Sequence, residues 1–340
     1  MTQQLPVWRS LLYVPTHIEK FVASAATRGS DAVILDLEDA VPSAEKVRAR
    51  SLVADAAERV RQGGADVLVR INGPGLAEAD IDASVGPAVT GIYLPKVESA
   101  DEIRRLSDRI GTAETRAGIS EGRTRLVALI ESATGWLNMA AIAAASSRLV
   151  ALSLGTEDFC VDVGMDPSEE TLMLPKQQLI ITSASAGLMA LGVVGVNTNF
   201  ADHDAYLTMA KRSRRFGFSG SSAIHPSQVP LLNAAFSPDP EELAHAERVI
   251  AVAEAAEREG RGAVALDGKM IDAPIVARAQ ALRARSRAIM ARLLLHDCYA
   301  SRALQFLLGA GGQEVGGDLE GLPCADVCVV IDVGLVEGGH

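Results

Sequence analysis

Leu126-Val-Ala-Leu-Ile130 and Val150-Ala-Leu-Ser-Leu154 are short apolar runs, and between them lies Ser132–Ala145, an alanine-rich stretch opened by a serine. The runs read as buried strands and the stretch between them as a helix with Ser132 as its cap. Strands joined by a helical crossover pair in parallel, because a parallel connection needs a dozen or more residues. The same unit recurs in both directions along the chain. Ser10–Val14, Ala32–Asp36, Val67–Ile71 and Gly91–Leu94 read as strands before it, and Gly192–Val196 and Gly220–Ile224 after it. Helical patterns at Ser43–Val60, Ser99–Ile110, Pro175–Leu188 and Asp202–Phe216 separate them. Eight alternations close most economically into an α/β fold of the (β/α)8 TIM-barrel type. A doubly wound open sheet is the alternative, but no G-x-G-x-x-G fingerprint follows the first strand.

The pattern changes after residue 240. Glu241–Glu259 and Ala273–Leu295 are rich in Ala, Arg and Glu, and a glycine-containing loop, Gly260–Met270, lies between them. The expected organisation is a barrel over residues 1–240, a C-terminal helical lid over 241–292, and an extension over 293–340. Within that extension Cys324–Val333 could form a strand.

The 340 residues carry a net charge of −11, and only 4% are aromatic. Leu, Ile, Val and Ala must therefore fill the core. No basic field exists to drive counterion release from nucleic acid or to hold an anionic membrane surface. Leu179–Val196 is the most membrane-like stretch, but Thr182, Ser183, Ser185 and three glycines interrupt it. It reads as a core helix running into a buried strand. Four cysteines in a chain this long do not make a disulfide framework, which points to a reduced, cytoplasmic protein.

In such a barrel the chemistry sits where strands end and the βα loops converge. The strand ends here carry Asp36, Glu38 and Asp39, then Arg70, Lys96, Glu131, Asp158 and His225. Glu131 and Asp158 follow neighbouring strands, and carboxylates can approach closely only by sharing a proton or a cation. Hard oxygen ligands without nearby His or Cys favour Mg2+, with Mn2+ possible. Helix capping is the alternative role for each acid. Arg70 offers a planar fork for a carboxylate or an enolate oxygen, or else pairs with Asp36 or Glu38. Lys96 could contact a phosphate or remain solvated. His225 fits a hydrogen bond at the barrel mouth better than a metal ligand.

The motifs Arg9-Ser-Leu-Leu-Tyr-Val-Pro15, Asp31-Ala-Val-Ile-Leu-Asp-Leu-Glu-Asp-Ala-Val41, Val69-Arg-Ile-Asn72, Leu94-Pro-Lys-Val-Glu98, Leu129-Ile-Glu-Ser132, Gly155-Thr-Glu-Asp158, Gly217-Phe-Ser-Gly220, Ile224-His-Pro-Ser-Gln228 and Gly268-Lys-Met-Ile-Asp272 occur in order. The ordered set resembles the HpcH/HpaI aldolase/citrate lyase family, in its branch of citrate lyase β subunits and malyl- and citramalyl-CoA lyases. The resemblance implies a Mg2+-dependent carbon–carbon lyase. Its substrate would be a 3-hydroxyacyl-CoA thioester, cleaved to acetyl-CoA and a small 2-oxo acid. It further implies Glu131 and Asp158 as metal ligands, with Glu131 beside the substrate, and Arg70 as the substrate-binding, enolate-stabilising residue. Asp272 would be an acid/base on a lid reaching a neighbouring subunit, in a homo-oligomer of trimer type. An acyl-carrier-protein thioester, a pyruvate-type aldol substrate and a catalytically silent homologue stay open. The chain departs from the family in lacking an Asp around the seventh strand, at Ala190-Leu-Gly-Val193, and in having Lys176 where an Arg is common.

Overall fold

In a computed structural model of the chain, residues 5–197, 200–260 and 264–309 are described. Strands β1 (Ser10–Pro15), β2 (Ala32–Asp36), β3 (Asp66–Arg70) and β4 (Gly91–Leu94) alternate with helices α1 (Glu19–Ala25), α2 (Lys46–Gln62) and α3 (Ala77–Ser84). Helix α4 (Ala100–Ala117) leads to β5 (Arg125–Ile130), α5 (Ala133–Leu137), α6 (Met139–Ala143) and β6 (Leu149–Leu154). Then come α7 (Thr156–Val163), α8 (Glu169–Ser185), β7 (Met189–Leu191), α9 (His203–Phe216), β8 (Ser221–Ala223) and α10 (Gln228–Ala235). Helix α11 (Pro240–Arg258), a hairpin of β9 (Val264–Leu266) and β10 (Lys269–Ile271), and α12 (Ala273–Gly309) complete the described chain. The described residues up to Ala300 form one compact unit.

The first eight strands are parallel neighbours in the order β7-β6-β5-β4-β3-β2-β1-β8. A bridge between Leu191 and Gly220 brings the two ends together, so the sheet is a nearly closed barrel. Strand residues are buried on both faces, as expected when helices cover the outside. Leu11, Ile34, Leu68, Val127, Leu129 and Val150 fill the interior. The alternate residues Leu12, Val33, Leu35, Val69, Ile92 and Ala128 pack against the helices. No helix among the described residues is long and apolar enough to cross a membrane.

Three expectations are corrected in detail. The seventh strand is Met189–Leu191, three residues before the apolar run Gly192–Val196. Gly192 turns out of the strand at φ 149°, and Val194 N–H donates to Ser213 Oγ at 2.9 Å instead of to a sheet neighbour. Helix α8 starts at Glu169, so Pro175 lies inside it and not at its start; Ser168 and Thr171 form the capping box that sets the true beginning. The helix expected over Ser132–Ala145 breaks into α5 and α6 around Asn138, whose side chain donates to the Glu98 carbonyl at 2.9 Å. The β9–β10 hairpin falls in the loop expected over Gly260–Met270 and runs one residue past it, to Ile271. Cys324–Val333 lies outside the described residues.

Helix α12 docks on the N-terminal end of the barrel. Arg292 pairs with Asp66 at 2.9 Å and with Asp31 at 3.3 Å, and Arg285 donates to the Ser219 carbonyl at 2.8 Å. Arg9 adds a bidentate bond to Asp31, with both contacts at 2.8 Å. A separate small core of Val249, Ile250, Ile271 and Ala279 binds α11, the hairpin and α12 together.

Gly220 sits where the barrel closes, and a Cβ there would lie 1.8 Å from the Trp8 carbonyl oxygen. Gly220→Ala is expected to cost about 1–3 kcal/mol or more by forcing the backbone apart. Gly73→Ala, where a Cβ meets nothing within 4 Å, should leave the melting temperature nearly unchanged. Calorimetry on the two variants checks the difference.

Candidate active site

Strand register determines which side chains meet at the C-terminal rim. Asp36 is the register partner of Arg70. Arg70 Nε and Nη2 each donate to the Asp36 carboxylate at 2.7 Å, and Nη1 lies 2.9 Å from Glu38. The guanidinium also stands 4.9 Å from the Tyr13 ring centroid. Arg70 is therefore ion-paired and also lines the cavity.

On the next pair of strands Ile130 is the partner of Leu154, which brings Glu131 beside Gly155. A Cβ on Gly155 would lie 2.5 Å from Glu131 Cγ and Oε1. The missing side chain is the space that the carboxylate occupies. Glu131 does not cap the following helix; Ser132 does, accepting from Gly135 N–H at 3.1 Å. Glu131 Oε2 instead accepts the Lys96 N–H at 2.8 Å. Lys96 directs that N–H from a left-handed backbone, φ 51°, while its ammonium is half exposed and 3.7 Å from Glu38. Among the described residues no Lys or Arg side-chain nitrogen lies within 4 Å of the Glu131 carboxylate. Burial pushes its pKa up to about 7, the Lys96 N–H opposes that rise, and the charges of Glu38 and Asp158 add to it. Burial likewise raises Glu38 to about 7.

Asp158 lies exposed in the first turn of α7. Together with Arg70 and Glu131 it lines a cavity of about 490 Å³ at the barrel mouth. That size suits a small organic ligand. A buried carboxylate without a cation, in the field of a second carboxylate, is a fitting place for a hard divalent ion. Water and substrate oxygens would complete the coordination, because among the described residues no cluster of three acidic, His or Cys side chains forms.

His225 lies outside the cavity lining, its Nδ1 2.8 Å from Ser227 Oγ and its ring stacked 4.6 Å from Phe200. Asp272 is not brought to the cavity of its own chain either. It caps α12, accepting from Ile275 N–H at 3.3 Å. The cavity residues not read as site residues from sequence include Tyr13, Gly155 and Lys176. Tyr13 sits near the end of β1, where the alternation of interior positions would have marked it. Gly155 was visible only as a turn residue. Lys176 stood out only as a departure from the family pattern.

The family model of HpcH/HpaI aldolase/citrate lyase matches residues 9–226. The chain belongs to this family. It is 35% identical over 276 residues to the citrate lyase subunit beta of Leuconostoc mesenteroides, covering 80% of this chain and 91% of that one. It is 32% identical to the mitochondrial citramalyl-CoA lyase of Rattus norvegicus, covering 80% and 84%. Its fold is similar to that of CitE from Mycobacterium tuberculosis, solved in complex with magnesium, acetoacetate and coenzyme A. That likeness has a TM-score of 0.66 at 31% identity and covers 82% of this chain and 97% of that one.

Because the Asp36–Arg70 contact uses a planar fork, Arg70→Lys is expected to lower kcat/KM of this family member by on the order of 10²–10³. Steady-state kinetics on a 3-hydroxyacyl thioester check this. A fall of less than about threefold would assign Arg70 a purely structural role.

Proposed function

We propose that the chain is a Mg2+-dependent carbon–carbon lyase cleaving a 3-hydroxyacyl-CoA thioester, of malyl, citramalyl or citryl type, to acetyl-CoA and a 2-oxo acid. The observation that carries this reading is the convergence of Arg70, Glu131 and Asp158 on one cavity, with Glu131 buried and without a side-chain cationic partner among the described residues. Its kinship with citramalyl-CoA lyase and with a protein solved with magnesium and coenzyme A supports the substrate class.

In the cleavage direction the substrate hydroxyl gives up its proton and its oxygen becomes the carbonyl of the 2-oxo acid. The bond between C2 and C3 of the acyl chain breaks, leaving its electron pair as a thioester enolate. A proton delivered to C2 then yields the acetyl group. Glu131 and Asp158 would hold the ion, which when bound supplies Lewis-acid polarisation and a template for the oxo-acid oxygens. Arg70 presents its remaining guanidinium N–H groups to the thioester oxygen, where charge builds up. Tyr13 and the Asp36 carboxylate keep that guanidinium in place.

Asp272 is the proton carrier in this reading, and it acts in a neighbouring copy. Arg285 and Arg292 fasten α12 to the end of the barrel away from the mouth, and Asp272 is absent from the lining of its own cavity. A homo-oligomer of trimer type, with lids exchanged between subunits, satisfies both facts. The likeness to citrate lyase β subunits favours one second reading, an acyl-carrier-protein thioester as substrate, which assays with both carriers separate.

Glu131→Gln and Asp158→Asn are each expected to lower turnover by at least about 10²-fold. They should also abolish the Mg2+-induced rise in melting temperature, since an ion at a hundred times its dissociation constant stabilises a protein by about 2.7 kcal/mol. Full activity or an intact Mg2+ shift in either variant rejects the metal site.

A second experiment mixes inactive Asp272→Ala and Glu131→Gln proteins under subunit exchange. Activity should return in the mixture, because some sites then combine an intact barrel with an intact lid. A monomer in solution, or Asp272→Ala with unaltered kcat, rejects the lid.

A further inference from the structure

Lys176 is 3% exposed and lies in the cavity wall, on α8. Its ammonium donates to two backbone carbonyls, Val194 at 3.3 Å and Gly195 at 2.5 Å. An ammonium carries three donors, so one is left over. No carboxylate oxygen lies within 4 Å of it among the described residues. Burial lowers its pKa to about 8, which the more distant Cys160, Glu169 and Glu157 partly oppose. It is therefore still mostly charged at neutral pH. Holding an unpaired charge out of water costs several kcal/mol, and two carbonyl dipoles offset only part of that. A methionine would fill the same volume without the penalty. The placement makes physical sense if an anion arrives from outside.

The cavity determines where such an anion would sit. Among the described residues the only other basic side chain lining it is Arg70, already paired with Asp36 and Glu38. Arg70 ends β3, whereas Lys176 bonds the segment after β7; these strands are four places apart in the eight-stranded order, on opposite walls. Beside Lys176 the wall is apolar, formed by Leu191, Val193 and Phe218. A substrate with its thioester oxygen at Arg70 and its oxo-acid oxygens toward Glu131 and Asp158 extends its far end to the Lys176 wall.

We propose that Lys176 is a specificity-determining residue that binds a second carboxylate on the 2-oxo acid half of the substrate, selecting a dicarboxylic oxo acid over one ending in a methyl group. The inference rests on the lyase reading above and narrows its substrate class to the citryl type.

The test measures binding of oxaloacetate and 2-oxobutanoate to the full-length protein by calorimetry in excess Mg2+. The two acids differ only in carrying a carboxylate or a methyl group at the far end. A charge-assisted hydrogen bond in a dry wall predicts that wild type prefers oxaloacetate by about tenfold or more. Lys176→Met should reduce the preference to within about twofold while leaving 2-oxobutanoate binding unchanged, and Lys176→Arg should keep most of it. Equal binding of the two acids by wild type overturns the proposal, and this arm needs no variant to fold. Equal weakening of both acids in Lys176→Met also overturns it, and makes Lys176 a brace for the segment after β7. If wild type with Mg2+ binds neither these acids nor pyruvate, the lyase reading itself falls and takes this inference with it.

Discussion

Gly220 meets the Trp8 carbonyl at a distance that leaves no room for any side chain, and the rim of the barrel depends on that approach. It lets β8 lie against β1, with Ser221 N–H donating to the Arg9 carbonyl at 3.1 Å. From there Gly192 N–H reaches the Gly220 carbonyl at 2.8 Å, and Ser219 N–H reaches the Ala190 carbonyl at 2.9 Å. A sheet left open at this seam would splay its strand ends outward. Once closed, it turns the ends of β3, β5 and β6 and the loop after β7 toward one volume. No individual cavity side chain creates the site; closure makes their strand ends converge.

Within that volume charge is distributed unevenly. Around β2 and β3, Asp36 and Glu38 both pair with Arg70 through short bonds, giving a rigid, oriented guanidinium. Around β5 to β7, Glu131 and Lys176 are buried, with no ionic partner among the described residues. Interior charges are normally paired. Two unpaired groups of opposite sign in one cavity are complementary to a ligand that brings a cation and an anion together, as an ion-chelated oxo acid would.

Much of this was legible in the sequence, because in a barrel of this kind the buried strands are apolar on both faces and stop abruptly at charge. Seven of the eight strands could be placed within a residue at each end, and Arg70, Glu131 and Asp158 followed from their positions after those strands. The seventh strand was misplaced because Gly192–Val196 has a strand's composition, yet its carbonyls and amides are taken by Lys176 and Ser213. The start of α8 was missed because a proline is a conspicuous signal for a first turn, and a Ser–Thr capping box is a faint one. Lys176 was legible only as a departure from the family pattern, and its position inside a helix, one residue after Pro175, is what places it in the cavity wall. Asp272 could be recognised by motif alone, since its proposed work lies in a second copy of the chain.

Gly155 and Lys96 shape Glu131 without offering it a side-chain atom. One contributes an empty volume, the other a backbone N–H held in a left-handed turn. Truncation scanning removes atoms and records what was lost, so it is blind to both. Replacing Lys96 with alanine keeps the amide, and Gly155 has nothing to remove. The tolerance of this rim to substitution therefore follows from volume and backbone geometry as much as from side-chain chemistry, and the strictest position on it is one that has no side chain.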